Sequence, residues 1–114
     1  MTKFDEEYWI KRVSKDGYNI DNCPNKTEAI CLAAVQRDGY TIQFIENPSE
    51  SVKLAAVQQS GYAIEYIKNP SDELIELAVN AMINAGWSTQ KIIEWFDIRN
   101  IPVPFHIRLA HDEI

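Results

Sequence analysis

The sequence predicts an all-α fold, a short α-solenoid of about four helical-hairpin repeats of 22 residues, with atypical units at both ends. Three observations predict it. Residues 31–49 (CLAAVQRDGYTIQFIENPS) and 53–71 (KLAAVQQSGYAIEYIKNPS) align at an offset of 22 without a gap and are identical at 12 of 19 positions. Asn-Pro-Ser punctuates each copy and is followed by apolar residues at helical spacing. A chain of 114 residues, 46% hydrophobic with only 4 Gly and 5 Pro, has the size and composition of one folded domain.

The element order follows from the repeat. Residues 1–27 form an N-terminal capping unit, 28–71 two regular repeats, 72–99 a C-terminal unit and 100–114 an extended tail. In the first unit Phe4, Tyr8, Trp9 and Val13 share one helical face, and Gly17-Tyr18-Asn19-Ile20 lies 22 residues before the Gly39 copy. The first helix of each later unit is predicted over 28–38, 50–60 and 72–85. Proline keeps the preceding Asn out of the right-handed helical region, which leaves Ser49 or Ser71 to cap the helix. Asp72 and Glu73 complement the positive end of the third of these helices. In the unit before, Thr27 caps, or Asn25 and Glu28 make a capping box. Gly39 and Gly61 stand where a left-handed residue closes a helix.

Within the helix, Val52, Ala55 and Ala56 make one apolar row and Leu54 with Val57 a second, a wide stripe suited to burial on two sides. The segments after glycine, 40–45 and 62–67, fit a short helix or a strand. Ile45 and Ile67 continue a helical spacing and break the alternation, which favours helix; a strand would make a strand-plus-helix solenoid instead. In the last unit Ser88 or Thr89 caps a helix carrying Ile92, Ile93, Trp95 and Phe96. Pro102 and Pro104 make the tail extended.

At LAAVQxxGYxIxxIxNPS the chain resembles an uncharacterised tandem repeat of bacterial, phage and large-virus proteins, a domain of unknown function. The match covers residues 30–71 closely and begins again at 72–79. The resemblance implies an all-helical array and a phage or mobile-element origin, and transfers no catalytic or binding residue.

No catalytic set emerges from the chain. Cys23 and Cys31 lie eight apart without a Cys-x-x-Cys motif, and Cys31 stands where the next unit has Lys53, a position open to polar residues. His106, His111 and Asp112 lack a spacing that converges them on a metal. No enzyme activity, cofactor or metal is expected. Tyr18, Tyr40, Tyr62 and Trp87 each follow a glycine and should align as a column. It is read as an inter-repeat ladder rather than a base-stacking platform.

Net charge is −6, from 11 Lys and Arg against 17 Asp and Glu, which excludes a protein built mainly to grip phosphates. Most of the excess lies in residues 22–76, with eight acids and four bases. No apolar run approaches the roughly 20 residues of a membrane span, and mean hydropathy is −0.29. The first residues lack the apolar core of a secretory signal, so a cytoplasmic location, host cytoplasm if phage-encoded, is expected.

Positions that vary between copies should be exposed: Arg37/Gln59, Asp38/Ser60, Gln43/Glu65 and Glu46/Lys68. Of these, Arg37, Gln43, Glu46, Gln59, Glu65 and Lys68, with Trp95 and Phe96, are the candidate partner-binding residues. The function expected is a non-enzymatic protein-interaction module acting on a host or phage protein, with no direct nucleic-acid binding and no membrane. Alternatives are an acidic DNA mimic inhibiting a host defence complex and a small-molecule or nucleotide binder. Apolar terminal units around Trp9 and Trp95–Phe96 predict a homodimer.

Overall fold

The computed structural model describes residues 4–112, the side chains of 109–112 excepted. It is all-helical, with no strand among the described residues. The order is α1 (Glu6–Lys15), η1 (Gly17–Asn22), α2 (Glu28–Arg37), η2 (Gly39–Phe44), α3 (Glu50–Gln59), η3 (Gly61–Tyr66), α4 (Asp72–Asn84), α5 (Thr89–Ile98) and α6 (Phe105–Asp112), where η marks a three-ten helix. Each of the first three units is one α-helix followed by one three-ten helix, the predicted helical hairpin, whereas α4 is followed by the α-helix α5.

The units stack in a line. Helices α1 to α4 pack side by side in one row and η1 to η3 in a second, each η seated against its own α-helix and the next one. The molecule measures 61 × 24 × 20 Å and its radius of gyration is 15.9 Å. A globular chain of this length would have about 13 Å. Helix α5 packs on α4 and α6 on α5, which closes the array with a different geometry.

The caps are built from the predicted residues. Thr27, Ser49, Ser71 and Ser88 each accept a bond from the backbone N–H three residues on, at 3.2–3.3 Å. Thr27 therefore caps α2, and the Asn25–Glu28 box is not used. Glu28 instead accepts from the Ser49 hydroxyl at 2.8–2.9 Å, tying the start of α2 to the start of α3.

In the second helix a glycine and two apolar residues recur every three positions, the period of a three-ten helix, and Thr41 and Ala63 are buried beside them. Gly39, Ile42 and Ile45 are buried, as are Gly61, Ile64 and Ile67, and Gly17, Ile20 and Cys23. Bonds from Cys23, Ile45 and Ile67 N–H to the carbonyls three residues back, at 3.0–3.1 Å, close each one.

Gly39 and Gly61 do not close the preceding helices in the left-handed region; Gly86 is the glycine with positive φ, at +96°. It ends α4 in a Schellman motif, with Trp87 N–H on Met82 O at 3.1 Å and Gly86 N–H on Ile83 O at 2.9 Å. Asn100, at φ +57°, does the same for α5. Gly17, Gly39 and Gly61 are required for contact between units instead. A Cβ on Gly17 would lie 2.9 Å from Ala34 O, one on Gly61 3.1 Å from Ala78 O, and one on Gly39 closer still to Ala56 O.

The LAAV stripe is narrower than its sequence suggests. Ala34, Ala56, Val35 and Val57 are fully buried, whereas Leu54 is 45% exposed on the outer face of α3. The tail is also not extended throughout. Residues 101–104 form no regular element, but Pro104 O accepts from the N–H groups of Ile107 and Arg108, both at 3.0 Å, and α6 begins there. Proline suits a helix start because it has no N–H to leave unpaired. Burial of Ile101, Val103 and Ile107 holds the segment down.

Candidate functional site

The η row carries a line of rings. Tyr18 meets Phe44 and Tyr40 meets Tyr66, edge to face with centroids 5.6 and 6.0 Å apart. Tyr62 meets Trp87 at 5.5 Å and Trp95 at 6.0 Å. The predicted column is thus an interleaved ladder, in which the second residue of one η touches the last residue of the next. Tyr18 and Tyr66 remain 42% and 41% exposed.

Carboxylates stand beside these rings. Asp16 and Asp38 accept the Tyr18 and Tyr40 N–H groups, each at 3.0 Å, and so cap η1 and η2. Partial burial, then Asp38 and nearby tyrosines, pushes the Tyr18 phenol above its ordinary value, and Asp16 adds to it. Burial also raises Tyr40, opposed by a bond with the Ser60 side chain and reinforced by Glu65.

The predicted partner-binding residues divide into three groups. Gln43, Glu46 and Lys68 come together around a groove of about 400 Å³ that is also bordered by Lys53 and Tyr66. Arg37 and Gln59 instead join units. Arg37 Nε donates to Lys15 O at 3.2 Å, and Gln59 Oε1 accepts the Gly39 N–H at 2.6 Å. Glu65 is engaged by Arg99 at 2.9 Å, and the Arg99 guanidinium lies 3.9 Å from the Trp95 centroid. Phe96 is a correction. At 0% exposure it belongs to the core, because the α5 stripe of Ile92 and Phe96 faces α4. Arg99 and Asp16 were not singled out; Asp38 was visible only as a position that varies between copies, and Lys53 only as the replacement for Cys31 one unit on.

That position is not polar in both copies. Cys31 is buried and its thiol donates to Lys26 O at 3.7 Å, while the Cys23 thiol donates to Asn25 O at 3.4 Å. Burial first, then Glu28 and Cys23, holds the Cys31 thiol protonated beyond its ordinary range, contrary to what a nucleophile needs. His106 is exposed on α6, and the side chains of His111 and Asp112 lie outside the described residues. Among the described residues no three His, Cys, Asp or Glu side chains gather as a metal site, and no helix is long and apolar enough to cross a membrane.

Comparison with protein-family models, with curated proteins and with solved structures finds no match to this chain.

Proposed function

We propose that the chain is a non-enzymatic protein-interaction module, encoded by a phage or mobile element and acting on a host or phage protein. Its working face is the η row with the groove beside it. One observation carries the reading. Gln43, Glu46 and Lys68, which vary between copies of an otherwise fixed scaffold, border the same groove together with the half-exposed Tyr66. Stacked repeats keep a constant interior and vary an extended face to recognise other proteins. The test is a photo-crosslinking amino acid at position 43 or 68, with position 76 on the exposed side of α4 as the control. A single protein crosslinked from lysate of the encoding cell through 43 or 68, and not through 76, supports the module. Equal, diffuse labelling from all three positions overturns it.

A second reading, a homodimer through the C-terminal unit, draws on Ile98 and Phe105, each 77% exposed. These replace Trp9, Trp95 and Phe96, which pack within the molecule. Light scattering at rising concentration tests it, and a constant monomer mass removes it.

A further inference from the structure

Cysteine occurs twice in the chain, at positions 23 and 31, and the repeat pairs those two positions. At an offset of 22 residues, position 23 becomes Ile45 and then Ile67, and position 31 becomes Lys53 and then Ile75. Ile45 and Lys53 border one groove. Ile67 and Ile75 are both buried where η3 packs on α4. At each joint the two positions therefore share a space, one at the end of the three-ten helix and the other early in the α-helix that follows. Cysteine fills both of them at the first joint, where Cys23 N–H on Ile20 O at 3.0 Å ends η1 and Cys31 N–H on Thr27 O at 2.9 Å closes the first turn of α2.

Both thiols bond to the turn between those elements. Cys23 Sγ donates to Asn25 O at 3.4 Å and Cys31 Sγ to Lys26 O at 3.7 Å, the carbonyls of consecutive residues. Thiols are weak donors, so these bonds are given up at little cost. The sulfurs are near enough for the charge of one to act on the other. Lys26, whose Nζ donates to Cys23 O at 3.2 Å, favours a thiolate in this turn, while Glu28 opposes it. With the thiols buried, a reagent reaches them when the turn opens. The turn belongs to the end unit of the row, where a stack has a neighbour on one side only and frays first.

We infer that Cys23 and Cys31 are a redox pair: given a small-molecule disulfide such as oxidised glutathione, they leave the two carbonyls and join in an internal disulfide that clamps η1 to α2. The reaction is a two-step exchange. One cysteine thiolate attacks the S–S bond of the oxidant, forming a mixed disulfide and releasing one thiol of the oxidant. The other cysteine thiolate then attacks the protein sulfur of that mixed disulfide and releases the second thiol. The protein loses two electrons and two thiol protons; the oxidant gains both pairs and leaves as two thiols. The bridge closes a short loop through Pro24 and restricts the unfolded chain, which stabilises the end unit. The pairing is independent of the interaction-module reading.

The experiment equilibrates the dilute full chain with reduced and oxidised glutathione, quenches exchange with acid, and reads intact mass, tryptic peptides and melting temperature. Cleavage after Lys15, Lys26 and Arg37 separates residues 16–26 from 27–37, so these two peptides stay joined only through the bridge. The expected result is a monomer lighter by two hydrogen atoms, the joined peptides, and a melting temperature raised by about 5 °C or more and restored by reductant. Cys23→Ile and Cys31→Lys carry the next unit's residues at these positions and so suit the fold, which circular dichroism checks. Each variant should show neither the joined peptides nor the rise. A parent chain that carries two glutathiones, that bridges only to another chain, or that keeps both thiols free after equilibration overturns the inference. A bridge that lowers the melting temperature also overturns it, because the pair then forms against the fold rather than within it.

Discussion

The backbone of Gly39 lies directly against the carbonyl oxygen of Ala56, one unit further along, and the same pair recurs as Gly17 with Ala34 and Gly61 with Ala78. The helix of one unit and the three-ten helix of the one before meet at a residue with no side chain on one partner and a single methyl on the other. This contact explains why Gly and the second Ala of LAAV are fixed together in the repeat.

Gly39→Ala should therefore destabilise by about 2–3 kcal/mol, because the new methyl meets a backbone oxygen that cannot move away. Ala56 O also accepts the Ser60 N–H at 2.9 Å, which fixes its position. Gly86→Ala should cost about 1 kcal/mol through its positive φ alone, since nothing lies near its Cβ position. Urea unfolding of the two variants measures the difference; a smaller loss at Gly39 than at Gly86 would contradict the packing account.

Gln59→Ala removes the side chain that accepts the Gly39 N–H and should cost about 1–2 kcal/mol. Gln59→Glu retains an acceptor and should recover most of that loss at neutral pH. If both variants lose stability equally, packing of the side chain rather than the bond to Gly39 is what matters.

Phe96→Ala should cost about 3–5 kcal/mol, the range for deleting a fully buried ring. Trp95→Ala, at a half-buried position, should cost less but expose the Tyr62 and Trp87 rings. Thermal unfolding orders the two, and Phe96→Ala melting above Trp95→Ala would place the core elsewhere.

Cys31 links stability to pH. Burial raises the folded thiol above its ordinary value, so the unfolded chain loses this proton first as pH rises. Between the two values the folded state holds more protons, and stability declines upward from about pH 8.5 until the folded thiol ionises too. Tyr18 and Tyr40 add to the decline, with the same sign, above about pH 10. Urea midpoints from pH 7 to 10 should fall less for Cys31→Ala than for the parent chain; identical curves would show that the thiol is not shielded.

The repeat, the caps at Thr27, Ser49, Ser71 and Ser88 and the helical hairpin were legible because each depends on residues close in sequence. The three-ten helix was legible in principle from Gly39, Ile42 and Ile45, but a period of three over seven residues is hard to tell from a period of 3.6. The role of Gly39 could not be read locally, since the atom that forbids a side chain there belongs to Ala56. Gln59 looked like surface variation for the same reason. Phe96 was misplaced because Trp95 and Phe96 are adjacent on the chain, and only the docking of α5 on α4 decides which faces inward. The tail was read as extended from Pro102 and Pro104, yet burial of Ile107 carried the segment back into a helix.

The bonds and packing that join one unit to the next run between immediate neighbours: Gly39 to Ala56, Gln59 to Gly39, Ser49 to Glu28. Nothing in that scheme counts the copies. An in-frame duplication of residues 50–71 would meet the same glycine socket at each end and lengthen the rod by one helix spacing, roughly 10 Å. The protein's span is in that sense a setting that can be moved in whole steps, with the Gly86 turn and α5 fixing where the row stops.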